Sequence, residues 1–260
     1  NEFSSGAPDA AGIRDFIRMI YSRGQNGNEL RYLLLFGDGS YDNKNRLENN
    51  TNFIPTVQSS ISLHPVNSYV TDDFYGLLDS KEGKDAKGYI DIGIGRFTVS
   101  TLEQARQAVD KVINYSSREI LPSGSIYNGS GNNVIPNMSD WRNVVCFIAD
   151  DDDGGEGFVW DSEYLAKLID TSYREYNVDK IYSDAYNQVS TPGGQRFPDV
   201  NAAINKRIEK GALVVNYIGH GREVGWALER IIELSDINSW NNKYNLPVFD
   251  LIIEGRGQIA

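Results

Sequence analysis

Five apolar runs of strand length, separated by segments whose apolar residues repeat at helical spacing, restrict this 260-residue chain to an α/β fold. The runs cover residues 32–36, 89–94, 144–149, 212–218 and 246–253, with a shorter one at 180–182. Continuous rather than alternating apolar character is what a strand covered on both faces requires, so these runs predict parallel sheets. A first helix is expected after Pro8-Asp9, where Ile13, Phe16, Ile17 and Ile20 recur at i, i+3, i+4 and i+7. Ser100 with Glu103 reads as a capping box opening a second helix, whose inner face is Leu102, Ala105, Val109, Val112 and Ile113. Further helices are expected over 162–176, 199–210 and 235–240. Residues 40–68 form a long loop with a short strand at 53–57, and the Ser-, Gly-, Asn- and Pro-rich stretch 122–140 reads as a linker.

Charge narrows the function classes. With 25 Lys and Arg against 36 Asp and Glu the formal charge is -11, which opposes nucleic-acid binding, because that affinity comes largely from cations displacing counterions. No run of 18 or more apolar residues exists, so no membrane-spanning helix is expected. Asn1-Glu2-Phe3-Ser4-Ser5-Gly6 lacks the basic and apolar regions of a secretory signal. The single cysteine, Cys146, excludes an internal disulfide and a cysteine-based zinc site. Inside the run Val144-Val145-Cys146-Phe147 it reads as a small buried hydrophobe.

Ligands of open parallel sheets sit beyond the carboxyl ends of the strands, and three such ends stand out. Asp150-Asp151-Asp152-Asp153 follows the run 144–149. Four consecutive carboxylates repel one another unless solvation, a cation or a protein base offsets the repulsion. A solvated acidic turn, a calcium site and a carboxylate orienting a catalytic base all remain open, although EF-hand spacing is met in no register. His220, one of two histidines, ends the run 212–218 between Gly219 and Gly221. Those glycines let backbone approach a ligand, which suits a general base with the Gly221 N–H stabilising an oxyanion. The alternative is a tight turn with a solvent-facing histidine. His64, before Pro65, reads as a loop residue. The third end, after 246–253, runs into Glu254-Gly255-Arg256 and offers no nucleophile.

The order of Leu35-Phe36-Gly37-Asp38, Asp72-Asp73-Phe74-Tyr75-Gly76, Ile92-Gly93-Ile94-Gly95-Arg96-Phe97, Val214-Val215-Asn216-Tyr217-Ile218-Gly219-His220-Gly221 and Trp226 resembles the gingipain-type cysteine peptidases over nearly the whole chain. Within that family, Asn1-Glu2-Phe3-Ser4-Ser5-Gly6 and Leu246-Pro247-Val248-Phe249 are most similar to the sortase subgroup of the type IX secretion system. The resemblance implies a caspase-like α/β fold in two subdomains, each with a mainly parallel sheet flanked by helices. These are residues 1–121 and, after the linker, a catalytic subdomain over 141–260 expected to be incomplete at its C-terminus.

By the same resemblance His220 takes the place of the base and Gly221 that of an oxyanion donor. Asp151 is expected to orient the histidine, with Asp153 as the alternative, and Asp161 and Trp226 to fall at the substrate pocket. Asp150 and Asp152 are the candidates for calcium; no cofactor is required. Counting on from Leu246-Pro247 puts the family's cysteine at about residue 254, where this sequence has Glu254, so the nucleophile is expected to be absent. Ile253-Glu254-Gly255-Arg256 also reads as a protease-recognition linker, and the chain as a fragment. The implied substrates are exported proteins with C-terminal signal domains, which the intact enzyme would cleave and transfer to lipopolysaccharide. Its place would be the extracellular side of the outer membrane of a Bacteroidetes-type bacterium, beside other secretion-system surface proteins. A gingipain-like extracellular endopeptidase and a catalytically dead module binding cargo or calcium are the rival readings.

Overall fold

A computed structural model of the chain describes residues 2–25, 28–59, 69–83, 87–116, 126–127, 133–134, 139–151, 155, 157–222, 224–242 and 244–255. It divides into two compact units, Asn1–Lys111 and Val112–Gln258.

The first unit opens with α1 (Ala10–Arg23), whose N-cap Asp9 accepts a hydrogen bond from the Ala11 N–H. β1 (Tyr32–Phe36) pairs in parallel with β4 (Gly93–Phe97), and between them β2 (Val57–Gln58) pairs antiparallel with β3 (Val70–Thr71). The expectation that β1 is covered on both faces is not met. Leu35 is buried, while Tyr32, Leu34 and Phe36 on the opposite face are exposed. The second strand also lies later than its apolar run, at Gly93–Phe97, leaving Tyr89 89% exposed. The core is correspondingly small, with Ile17, Leu35, Tyr75, Leu78 and Ile92 at its centre. Polar contacts hold much of the rest. The guanidinium of Arg96 donates twice to Asp72, at 2.6 and 2.7 Å, and to the carbonyls of Gly37 and Ile54. Asp38 accepts from Thr51, Ser100 and the Gly39 N–H.

The unit boundary falls within α2 (Leu102–Ser116). Its cap is one residue later than Ser100 and Glu103 suggest: Gln104 N–H donates to Thr101 Oγ1, and Gln104 Oε1 accepts from the Ser100 and Thr101 N–H groups. No residue of α2 is buried, so its apolar stripe is uncovered rather than an inner face. Inside the stretch read as a linker, β5 (Ile126–Tyr127) and β6 (Asn133–Val134) pair antiparallel.

The second unit is built on a sheet in which β7 (Val144–Ala149), β8 (Asn177–Tyr182), β11 (Val214–Arg222) and β14 (Val248–Gly255) are all parallel. The antiparallel β9 (Val189–Thr191) and β10 (Gly194–Arg196) form a separate hairpin. β12 (Gly225–Trp226) folds back on the end of β11 and pairs with β13 (Ile232–Glu233). α3 (Phe158–Ser172) covers one face and α4 (Pro198–Lys210) the other, with the short α5 (Leu234–Ser239) following β13.

Alternation along the strands assigns the faces. Cys146, Ile148, Val215 and Tyr217 pack with Val200, Ile204 and Ile208 of α4. Val145 and Phe147 pack with Ala166 of α3, and Ala149 and Ile218 pack with Phe158. The runs of β7 and β11 are thus buried on both faces, whereas that of β14 is not: Val248, Phe249, Leu251, Ile252 and Ile253 are exposed. No helix among the described residues is long and apolar enough to cross a membrane.

Candidate active site

Parallel in-register pairing of β7 with β11 sets Ala149 opposite Ile218. The two chains therefore leave the sheet side by side, and the residues that follow meet. The Asp150 N–H continues the ladder to the Ile218 carbonyl at 3.0 Å. Its carboxylate turns to His220: Oδ2 accepts from the His220 backbone N–H at 3.1 Å and lies 2.9 Å from the imidazole Nδ1. Oδ1 accepts the Asp151 N–H at 3.0 Å. Side-chain exposure is 1% for Asp150 and 6% for His220, so the pair is shielded from water. A carboxylate only accepts, so Nδ1 holds a proton toward Asp150 and Nε2 is the ring nitrogen left to exchange one. Among the described residues Nε2 has no hydrogen-bond partner.

The surroundings fix the imidazole on every side but that one. Phe158, at the start of α3, sets its ring edge-on to His220 with centroids 4.9 Å apart. The His220 carbonyl accepts from the Tyr217 hydroxyl and the Ala227 N–H, both at 2.8 Å. Tyr217 in turn stacks on Trp226, centroids 4.4 Å apart and planes within 5°. Burial pushes the Tyr217 phenol well above its usual range, so it stays a neutral donor. The flanking glycines answer to close approach. A Cβ on Gly219 would stand 2.4 Å from Asp150 Cβ and 2.5 Å from Tyr217 Oη, and one on Gly221 would stand 2.4 Å from Ile253 Cγ2. Gly221 lies opposite Trp226 in β12 and opposite Gly255 in β14.

The side chain that meets His220 is thus Asp150, whereas the sequence pointed to Asp151. Asp150 is the first residue past β7 and inherits the strand's register; Asp151 is a step further round and its Oδ2 faces Gln188 Nε2 at 3.4 Å. Asp152 and Asp153 lie outside the described residues. Asp161 is exposed in the first turn of α3. Trp226 packs against the α4-side core and against Phe249, edge to face, which gives it a structural role the sequence did not suggest. His64 lies outside the described residues.

Two further points bear on chemistry. The carboxylates of Asp150, Asp151 and Glu229, all buried, bring oxygens within 4.8 Å of one another. Such a set suits a hard cation, yet both Asp150 oxygens already accept hydrogen bonds from His220 or the backbone. Glu229, from the turn after β12, carries no sequence signal, since only the fold of the β11–β12 hairpin returns it to this place. Cys146 is fully buried on the α4 side of the sheet, and desolvation, with a smaller contribution from Asp179, pushes its thiol up to about 12. His220 is on the α3 side. On β14, the residue paired with His220 in the ladder is Glu254.

The family described as "Peptidase family C25" matches residues 1–251. Gingipain R2 of Porphyromonas gingivalis is 24% identical over 248 residues, covering 93% of this chain and 26% of its own length. Gingipain R1 of Porphyromonas gingivalis is 24% identical over 248 residues, with 93% of this chain and 19% of its own length covered. The chain thus spans about a quarter or less of the curated relatives it matches. The crystal structure of the Arg-specific cysteine proteinase gingipain R (RgpB) superposes with a TM-score of 0.61 at 20% identity, over 96% of this chain and 46% of that one. The complex of the Porphyromonas gingivalis RgpB pro- and mature domains gives a TM-score of 0.61 at 20% identity, over 95% and 46%. The fold is therefore caspase-like, of the gingipain kind. On the match to residues 1–251, the chain belongs to peptidase family C25.

Proposed function

We propose that this chain is a peptidase-domain segment of a cysteine endopeptidase similar to PorU, the sortase of the type IX secretion system. In this reading the intact protein works on the extracellular side of the outer membrane, among other surface proteins of that system. It removes C-terminal signal domains from exported proteins and passes the new carboxyl end to lipopolysaccharide. The observation that carries the catalytic part is the buried Asp150–His220 pair, whose Nε2 has no hydrogen-bond partner among the described residues and whose histidine stands opposite position 254 in the ladder with β14.

The roles follow from that geometry. Asp150 holds the tautomer and orients the ring. Nε2 takes the proton of a thiol on the neighbouring strand, and the thiolate attacks the scissile carbonyl carbon. The Gly221 N–H is the candidate oxyanion donor. As the C–N bond breaks, the imidazolium returns its proton to the leaving amine. The thioester then yields to water or to an acceptor amine, and the second fate makes the enzyme a transpeptidase. Cys146 cannot supply the thiol, because it is buried on the opposite face of the sheet with its thiol pushed up to about 12. With Glu254 in place the chain is expected to show no thiol-dependent cleavage.

Two other readings have support. A gingipain-like extracellular endopeptidase would use the same residues without selecting signal domains. A catalytically dead module binding cargo or calcium is favoured by the buried Asp150, Asp151 and Glu229 carboxylates and by Glu254 itself. The test is Glu254→Cys. The sortase reading expects cleavage confined to a protein bearing a C-terminal signal domain, abolished by iodoacetamide and reduced about 10²- to 10⁴-fold by His220→Ala. Free digestion of unrelated unfolded proteins would select the endopeptidase instead. A folded Glu254→Cys protein with no cleavage of either substrate, and with calcium-dependent stabilisation, would select the binding module.

A further inference from the structure

The second unit carries a groove of about 230 Å³ between the open edge of β8 and α4. Its lining includes Lys206, Arg207 and Lys210 against a single acid, Asp179, with the phenol of Tyr186 alongside, while the ammonium of Lys180 turns to Glu163 of α3 on the other face of the sheet. The groove lies on the α4 side of the sheet and His220 on the α3 side, so it belongs to a different surface from the candidate active site.

Basic residues in the last turn of a helix ordinarily serve its free carbonyls and its dipole. In α4 that work is done by other groups. The Gly211 N–H donates to the carbonyls of Arg207 and Ile208, Asn245 Nδ2 donates to that of Glu209 at 2.7 Å, and Arg207 donates to that of Gly211 at 3.1 Å. Arg207 is also committed to Asp179 at 2.7 Å, and Lys180 to Glu163 at 2.7 Å. Lys206 and Lys210 remain, and among the described residues neither amine has a hydrogen-bond or ion-pair partner. They stand at i and i+4, about 5–6 Å apart at Cβ, where like charges destabilise a helix. An anion between them would remove that repulsion and gain two charge-assisted hydrogen bonds.

We propose that this groove binds a small phosphate-type dianion, held between the Lys206 and Lys210 ammonium groups with the Tyr186 hydroxyl as a further donor. A compact pocket at one helix end fits a single tetrahedral anion better than a long acidic segment, which would need cations spread along a track. Arg207 takes part only to the extent that Asp179 releases it.

The experiment is a titration of the chain with inorganic phosphate, followed by backbone amide NMR, against sodium chloride at matched ionic strength. Saturable shifts at β8 and α4 are expected with phosphate alone. Lys206→Ala with Lys210→Ala should weaken binding at least about tenfold, while the charge-conserving Lys206→Arg with Lys210→Arg retains it. Asp179→Asn should tighten binding several-fold by freeing the Arg207 guanidinium. Chloride giving the same shifts, or the double alanine variant binding as tightly as the parent with unchanged circular dichroism, would overturn the assignment. So would binding of poly-glutamate without binding of phosphate, which would make the groove a docking place for acidic peptide.

Discussion

The two units use different means to hold a strand end in place. In Val112–Gln258 the central strands β7 and β11 are covered on both faces, and Cys146, Ile148, Val215 and Tyr217 reach full burial between β7, β11 and α4. In Asn1–Lys111 only one face of β1 is covered, and loops after the strands are tied by Arg96, Asp72 and Asp38. Apolar packing is cumulative and tolerates no local release, whereas a charged clamp concentrates its contribution in a few atoms. An Asp–His pair that must keep its geometry to fractions of an ångström stands on the first kind of support.

The contrast can be broken most strongly at Tyr217. Tyr217→Ala removes a fully buried ring, its stack on Trp226 and its bond to the His220 carbonyl. A loss of about 3–5 kcal/mol is expected by denaturant titration; a loss below about 1 kcal/mol would deny that packing supports the site. Arg96→Ala should cost about 2–3 kcal/mol, since it leaves Asp72 and the carbonyls of Gly37 and Ile54 without their donor. Hydrogen exchange should then show lost protection around residues 37–54 and none in β7 or β11. Equal loss in both units would erase the distinction.

Acid should act on the first unit in the same sense. The hydrogen bond from Thr51, joined by those from Ser100 and Gly39 and by the charge of Arg96, holds the Asp38 carboxyl below its usual value despite opposing desolvation. A depressed folded value stabilises the fold above the unfolded pKa, about 3.9, and that contribution disappears as pH falls through the lower folded value. Asp38→Asn should flatten this part of the stability profile, and an unchanged profile would show that the carboxylate is not the acid-sensitive group. The smallest effect is expected at the Lys180–Glu163 pair, 38% exposed on each side. Lys180→Ala should cost less than about 1 kcal/mol.

How much of this was legible beforehand follows the same division. Val144–Ala149 and Val214–Arg222 are recognisable because a strand buried on both faces writes itself as an unbroken apolar run, whereas Val248–Gly255 carries a similar run with Val248, Leu251, Ile252 and Ile253 exposed. The run Tyr32–Phe36 looks identical in sequence, yet Tyr32 and Leu34 are exposed, because coverage of a strand's second face is decided by residues far away in the chain. His220 could be singled out by its place between two glycines at a strand end. The choice among consecutive aspartates could not be made by motif spacing. It needed the register of β7 on β11, which a count from Ala149 opposite Ile218 would have supplied. Glu229 and Phe158 reach the site only through tertiary folding.

Asp150, and not its neighbour Asp151, holds the imidazole of His220. That contact is tested most directly by the ring Nδ1–H proton resonance in a His64→Gln background, where His220 is the single histidine left. A protected downfield signal is predicted for that protein, retained in Asp151→Ala and lost in Asp150→Ala. A signal that survives Asp150→Ala and disappears with Asp151→Ala would contradict it.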